Sequence, residues 1–180
     1  MSETTKTRDD MTTGERTDLL EALTHHRTML RRTTRDLTDE QAGLRTTASA
    51  LCVGGIVKHV TSVERVWVAF IEGGLPALGS VTDMTDDDWA QRADEFRMLP
   101  GETLAGVLDD YEEVAARTDA LVRGLPDLDL SHPLPDAPWF EPGGRWSARR
   151  VLLHVIGETA QHAGHADIIR ESLDGALSMG

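Results

Sequence analysis

The segment SARRVLLHVIGETAQHAGHADIIRESL, residues 147–173, decides the fold. Ser147 is a typical helix N-cap, because its hydroxyl can accept a hydrogen bond from the first turn. Asp174-Gly175 follows the segment and predicts where the helix ends. Between these signals, steps of four and three residues alternate, as in the core-facing stripe of a bundle helix. The stripe consists of Val151, Val155, Glu158, His162, His165 or Ala166, Ile169 and Leu173.

Three ionisable residues, Glu158, His162 and His165, lie on this otherwise apolar stripe. Burying such groups without partners is costly, so the stripe predicts hydrogen bonds, ion pairs or a metal ion there. Glu158 and His162 are four residues apart, point the same way and can bind one ion. Gly157 and Gly164 flank the cluster, although glycine costs about 1 kcal/mol against alanine inside a helix. They indicate either close approach of another backbone or space for a ligand.

Three further segments show apolar residues at three- and four-residue steps and predict long helices: residues 13–36, 49–72 and 103–123. Residues 88–96 are compatible with a short helix before the third. Four amphipathic helices predict an all-α protein, a four-helix bundle with a long loop, residues 125–146, before the last helix. No period-2 pattern predicts a strand.

His59 lies in the middle of the apolar stripe of the second predicted helix. A bundle brings mid-helix positions of neighbouring helices within side-chain reach, so His59 is expected to approach Glu158 and His162. Three protein ligands leave coordination positions open, as in reactive metal sites. Nitrogen and oxygen ligands without a thiolate suit one divalent ion: Zn²⁺, Ni²⁺, Fe²⁺ or Mn²⁺. His165 is a further candidate ligand.

Other side chains carry less specific signals. Trp139, Phe140 and Trp146 lie in or at the end of the long loop, where they either plug the end of the bundle or cover a site. His26 falls on the apolar face of the first helix and is predicted to be a hydrogen-bonded core residue or a neighbour of the site. His132 is predicted to be exposed.

Composition limits the partners. The 180 residues suit a single domain over residues 13–180, preceded by a flexible leader at 1–12. A net charge of −13 repels nucleic acid and anionic membranes. The sequence shows no signal peptide and no membrane-spanning apolar run. Cys52, the only cysteine, is expected to be a small core residue, and its solitude suits a reducing cytosol. These observations predict a cytoplasmic protein.

The last helix resembles that of the DinB-like superfamily, in WSARRVLLH (146–154) and ETAQHAGHAD (158–167). The second helix is similar too, in GIVKHV (55–60) and VERVW (63–67), and the resemblance spans residues 14–175. It implies a four-helix bundle whose metal ligands are one histidine on the second helix and two residues four apart on the last.

Those ligand positions match His59, Glu158 and His162. Many members have histidine where this chain has Glu158, but relatives similar to mycothiol-dependent maleylpyruvate isomerase carry glutamate there. His165 falls where many members have glutamine, which leaves it as a fourth ligand, a replacement for Glu158 or a neighbour of the ligands.

The resemblance implies a metal-dependent transferase or isomerase that uses a low-molecular-weight thiol such as mycothiol. A metal ion stabilises a bound thiolate near neutral pH, and the thiolate then attacks an electrophilic small molecule. Two alternatives remain open: a metal-dependent hydrolase with Glu158 or His165 as base, and a non-enzymatic metal-binding bundle. Because bundles of this superfamily often dimerise, the resemblance also admits a homodimer.

Overall fold

The fold, taken from a computed structural model, is described for residues 8–79 and 84–178, with side chains from residue 14 onward. This part of the chain is mainly helical, which confirms the all-α prediction. Its helices are α1 (Arg8–Thr33), α2 (Asp39–Gly43), α3 (Val53–Gly73), α4 (Asp86–Asp94), α5 (Leu104–Gly124) and α6 (Ala148–Asp174), with a 3₁₀ turn at Leu75–Ala77. Two short strands are β1 (Ser131–Pro133) and β2 (Arg145–Ser147).

The observed helix ends show which sequence signals predicted a helix boundary correctly. Ser147 caps α6 as predicted, since its hydroxyl accepts a hydrogen bond from the backbone N–H of Arg150 at 3.2 Å. Helix α3 begins at Val53, later than the predicted Ser49, because the buried Cys52 is its N-cap. Helix α1 already begins at Arg8, so residues 8–12 of the predicted leader are helical. This part of the sequence is mostly polar and carries no apolar period that would predict a helix. Residues 1–7 lie outside the described part of the chain.

The four long helices pack against one another: α6 contacts α1 and α3, and α5 contacts α3 and α1. They enclose two apolar clusters, one around Leu23, Phe70 and Leu152 and the other around Leu30, Ile56 and Ala166. Each long helix contributes residues to both clusters. The core therefore extends along the helices and is divided into two parts.

A polar layer separates the two clusters. On every long helix, buried polar residues lie between the residues of the two clusters: Arg27 on α1, Thr61 and Glu64 on α3, Thr118 on α5 and Thr159 on α6. The Arg27 guanidinium pairs with the Glu64 carboxylate, which also accepts a hydrogen bond from the Thr118 hydroxyl at 2.5 Å. The periodicity of α1 favoured His26 as the core residue at this level, but His26 is only half-buried and Arg27 faces the core.

The segment between α5 and α6 contains structure that the sequence did not reveal. Strands β1 and β2 pair antiparallel, with His132 opposite Trp146, but three residues are too short to show alternation. His132 is partly buried, not exposed, and its Nε2 lies 3.1 Å from the carbonyl oxygen of Ile71. Phe140 and Trp146 pack on the first apolar cluster, as the plug interpretation required, whereas Trp139 is 60 % exposed.

Among the described residues, no helix combines the length and the apolar character that crossing a membrane requires.

Candidate metal centre

Three of the predicted ligands converge between α3 and α6. His59 comes from α3, and Glu158 and His162 come from consecutive turns of α6. One potential ligand atom from each residue lies within 4.8 Å of the other two. The rings of His59 and His162 meet edge to face, with centroids 4.8 Å apart. The expectation that mid-helix positions would meet across the helix pair therefore holds for these three side chains.

The spacing of these groups suits a bridging ion better than direct bonding. Nε2 of His162 lies 3.6 Å from Oε2 of Glu158, which is too long for a hydrogen bond. Two ligand atoms bound to one ion at about 2.1 Å in tetrahedral geometry lie roughly 3.4 Å apart. Nδ1 of His162 is buried and has no hydrogen-bond partner among the described residues. No hydrogen bond among the described residues therefore explains the burial of Nδ1, and the spacing between Nε2 and Oε2 fits a divalent ion held by the three residues.

Electrostatics keep His162 in the form that binds a metal. Burial lowers the pKa of His162, and the neighbouring His59 and His165 lower it further, against the opposing effect of Glu158. A neutral imidazole is the form that ligates metals. Glu158 also lies 3.9 Å from Nε2 of His154, whose pKa burial likewise lowers. The carboxylate is thus flanked by two histidines on its own helix.

His165 is adjacent to this group but is not part of it. Its ring lies beside that of His162, with centroids 5.4 Å apart, and its Nδ1 is buried without a described hydrogen-bond partner. The group within 4.8 Å contains Glu158 and not His165. The exposed Gly157 and Gly164 have no atom within 4 Å of where a Cβ would stand, so close approach of another described backbone was the wrong interpretation of them.

The far side of His59 contacts two residues that the sequence did not single out. Nδ1 of His59 lies 3.5 Å from Oε2 of Glu95, and the Phe96 ring stacks on the imidazole at 4.1 Å. Oε1 of Glu95 accepts a hydrogen bond from the Ser62 hydroxyl at 2.8 Å. Burial alone would raise the pKa of Glu95, but its bonds to His59 and Ser62 hold it below the ordinary value. The sequence predicted only that these residues could belong to a short helix at 88–96. It did not predict that they pack against His59.

The family model described as mycothiol-S-transferase, MST, matches residues 18–175. The chain belongs to this family. The match places it in the DinB-like superfamily, as the resemblance of its second and last helices implied. The matched range includes His59, Glu158 and His162.

Solved structures support the fold of this mycothiol-S-transferase family member. It is similar to a conserved protein from Enterococcus faecalis, with a TM-score of 0.64 and 15 % identity. The similarity covers 88 % of this chain and 96 % of the other. At that identity the likeness concerns the fold alone. Among curated proteins, none matches the chain with significant similarity.

A cavity of about 870 Å³ lies between α3, α4 and α5 in this family member. Its wall includes Ser62 and Glu95, the two residues that connect α3 and α4 beside His59. Lys58, Arg65 and Asp110 line it as well, so both signs of charge are present. The cavity is therefore large and polar enough to admit a polar small molecule, which would contact Glu95, the residue beside His59.

Proposed function

We propose that this protein transfers a low-molecular-weight thiol of the mycothiol type to electrophilic small molecules, with one divalent ion held by His59, Glu158 and His162. The observation that carries the proposal is the convergence of two imidazoles and one carboxylate within 4.8 Å. Membership in the mycothiol-S-transferase family supports the thiol as cosubstrate. In this proposal the four long helices form a DinB-like four-helix bundle that holds the ligands in place.

The ligand set suits Zn²⁺, Ni²⁺, Fe²⁺ or Mn²⁺. When bound, such an ion supplies a Lewis acid that lowers the pKa of a thiol toward neutrality. The chain itself keeps His162 neutral through burial and places the Glu158 carboxylate beside it. His165, whose ring is next to that of His162, orders the environment of that ligand and is not itself the third ligand in this proposal.

The proposed reaction is a substitution at an electrophilic carbon. The thiol loses its proton to solvent, its sulfur forms a C–S bond, and the leaving group departs with the electrons of the broken bond. The Phe96 ring packed on His59 limits the access of competing water from that side. The products are a thioether and the free leaving group, which is a halide ion when the electrophile is an alkyl halide.

Thiol transfer can be measured with mycothiol and monobromobimane, a fluorogenic alkyl bromide, after reconstitution with each of the four metals. We expect product formation above the uncatalysed rate with at least one metal, lost on chelation and in His162→Ala. Asp87→Asn, an exposed change on α4, is the matched control and should retain the rate. Uncatalysed rates with every metal would contradict the proposal. Ester hydrolysis without thiol would instead indicate the hydrolase, and metal binding without either reaction would indicate a non-enzymatic bundle.

A further inference from the structure

The chain immediately around Glu95 is fixed to α3. Nζ of Lys58 donates to the carbonyl oxygens of Asp94 at 3.3 Å and Arg97 at 3.0 Å, which lie on either side of Glu95 and Phe96 in the sequence. The backbone of Phe96 lies directly on Gly55, where an added Cβ would overlap the Phe96 carbonyl oxygen. The position of the Glu95 backbone relative to α3 is therefore set by contacts that do not involve its own side chain.

The Glu95 carboxylate connects two residues of α3 that are one turn apart. One oxygen accepts the Ser62 hydroxyl at 2.8 Å, and the other lies 3.5 Å from Nδ1 of His59, at the long end of hydrogen bonding. The Phe96 ring, 4.1 Å from the imidazole and only 26° from parallel, limits how His59 can turn. Together these contacts restrict the ring from its Nδ1 side.

Nearby carboxylates pair with arginine or lysine, whereas the Glu95 carboxylate pairs with His59. Asp94 pairs with Arg97, and Glu102 pairs with Lys58 at 2.7 Å. Within the described part of the chain, the ion pair recorded for Glu95 is the one with His59. One oxygen of the Glu95 carboxylate therefore faces the His59 imidazole.

We propose that Glu95 is a positioning residue of the metal centre. It accepts a hydrogen bond from Nδ1–H of His59, which fixes the tautomer and leaves the Nε2 lone pair to face Glu158 and His162. Metal-bound histidines usually donate their other N–H to a carboxylate or carbonyl, which orients the ring and raises its basicity. This inference rests on the proposed metal centre and adds to it Glu95, the residue at the C-cap of α4.

The test is the Zn²⁺ dissociation constant, measured by competition with a chromogenic chelator, for wild type and single variants. We expect Glu95→Ala to weaken Zn²⁺ binding by about 10- to 100-fold, the usual effect of losing such a partner. Glu95→Gln should weaken it by a smaller factor, because it keeps an oxygen acceptor and loses only the negative charge. Ser62→Ala should weaken it less, because it frees the carboxylate without removing it. Asp87→Asn, the same charge change at an exposed position of α4, should bind as wild type. His162→Ala should abolish binding.

Two controls separate positioning from folding. The melting temperature of each metal-free variant reports whether it folds, and Glu95→Gln keeps the size and an oxygen acceptor if Glu95→Ala does not fold. The visible absorption of the Co²⁺ form should shift in Glu95→Gln, which a purely structural role would not cause. Wild-type Zn²⁺ affinity in both Glu95 variants, with binding lost in His162→Ala, would overturn the inference and keep the centre. Wild-type affinity in His162→Ala would overturn the centre itself.

Discussion

At the residue scale, Glu64 is the charged core residue that depends most on its partners, because its side chain has no exposed surface. Arg27 balances its negative charge, and the Thr118 hydroxyl donates a hydrogen bond to its carboxylate. Breaking a buried pair by removing one partner leaves an uncompensated charge and is strongly destabilising. We predict that Glu64→Ala lowers the free energy of unfolding by about 3 kcal/mol, measured by urea denaturation. Arg27 keeps a second bond, to Asp119 at 2.8 Å, which keeps the loss from being larger.

Glu72→Ala is the matched control, because Glu72 also lies on α3 and pairs with Arg117 across to α5, but both are exposed. That change should cost about 1 kcal/mol or less. The double variant Arg27→Met/Glu64→Leu should recover part of the loss, since apolar replacement removes both charges. A Glu64→Ala protein as stable as Glu72→Ala would show that the polar layer contributes no net stability.

The histidines near the site predict how stability depends on pH. Burial lowers the pKa of His154 from the ordinary value of 6.5, although Glu158 opposes the shift. Below pH 6.5 the unfolded chain therefore binds this proton more readily than the folded one, so acidification removes stability. We predict that the metal-free protein loses free energy of unfolding from pH 7.5 to 5.5, and that His154→Gln loses less. Equal slopes in the two proteins would exclude a contribution from His154.

Single-helix periodicity predicted that Glu158 and His162 share a core-facing stripe and that His59 lies mid-helix on α3, and these three side chains converge in the structure. It did not predict the buried Arg27, because a charged residue adjacent to an apolar stripe looks the same whether it is solvated or paired across the core. Glu95 and Phe96 were missed for a related reason. They contact His59 from the turn that follows α4, a short and largely polar helix whose packing no local sequence pattern predicts.

At the element scale, two helical glycines provide a direct comparison. A Cβ at Gly55 would overlap the backbone of Phe96, whereas a Cβ at Gly157 meets nothing within 4 Å. We predict that Gly157→Ala raises the free energy of unfolding by about 0.5–1 kcal/mol, through helix propensity alone. Gly55→Ala should destabilise the protein instead, because the segment after α4 has to move away from α3. Chemical denaturation of both variants measures the difference.

The same pair of variants tests how α4 is attached. If Gly55→Ala gains stability as Gly157→Ala does, the close contact between α3 and the Phe96 backbone is not a feature of the folded protein. The sequence predicted that residues 88–96 could form a helix, and α4 is found at Asp86–Asp94. What it could not predict was the docking, which depends on Gly55 and on Lys58, far away in the sequence.

At the scale of the whole molecule, the sequence predicted an all-α domain because four segments have strong helical periods, and the long helices pack together as expected. The helix boundaries differ from the predicted ones at Val53, where Cys52 is the N-cap, and at Arg8, where the sequence has no apolar period. The homodimer and the cytoplasmic location stay predictions. The acidic charge of −13 still argues against nucleic acid as the partner of this family member.

A metal ion that binds only the folded protein should stabilise the whole domain. At a free concentration 100 times the dissociation constant, it adds about 2.7 kcal/mol to the free energy of unfolding. For a domain of this size that corresponds to a rise in Tm of about 5–10 °C. Calorimetry with and without Zn²⁺ measures this shift, and His162→Ala is the control that should show none. An equal shift in that variant would indicate binding elsewhere on the protein.

Elemental analysis of purified protein measures whether His59, Glu158 and His162 together hold one ion. Wild type should be analysed beside His59→Ala and His162→Ala, each purified in the same way and again after reconstitution. We expect about one equivalent of zinc, nickel, iron or manganese in wild type and a loss of that metal in both variants. Wild-type protein without metal after reconstitution, or variants that retain the same metal, would contradict it.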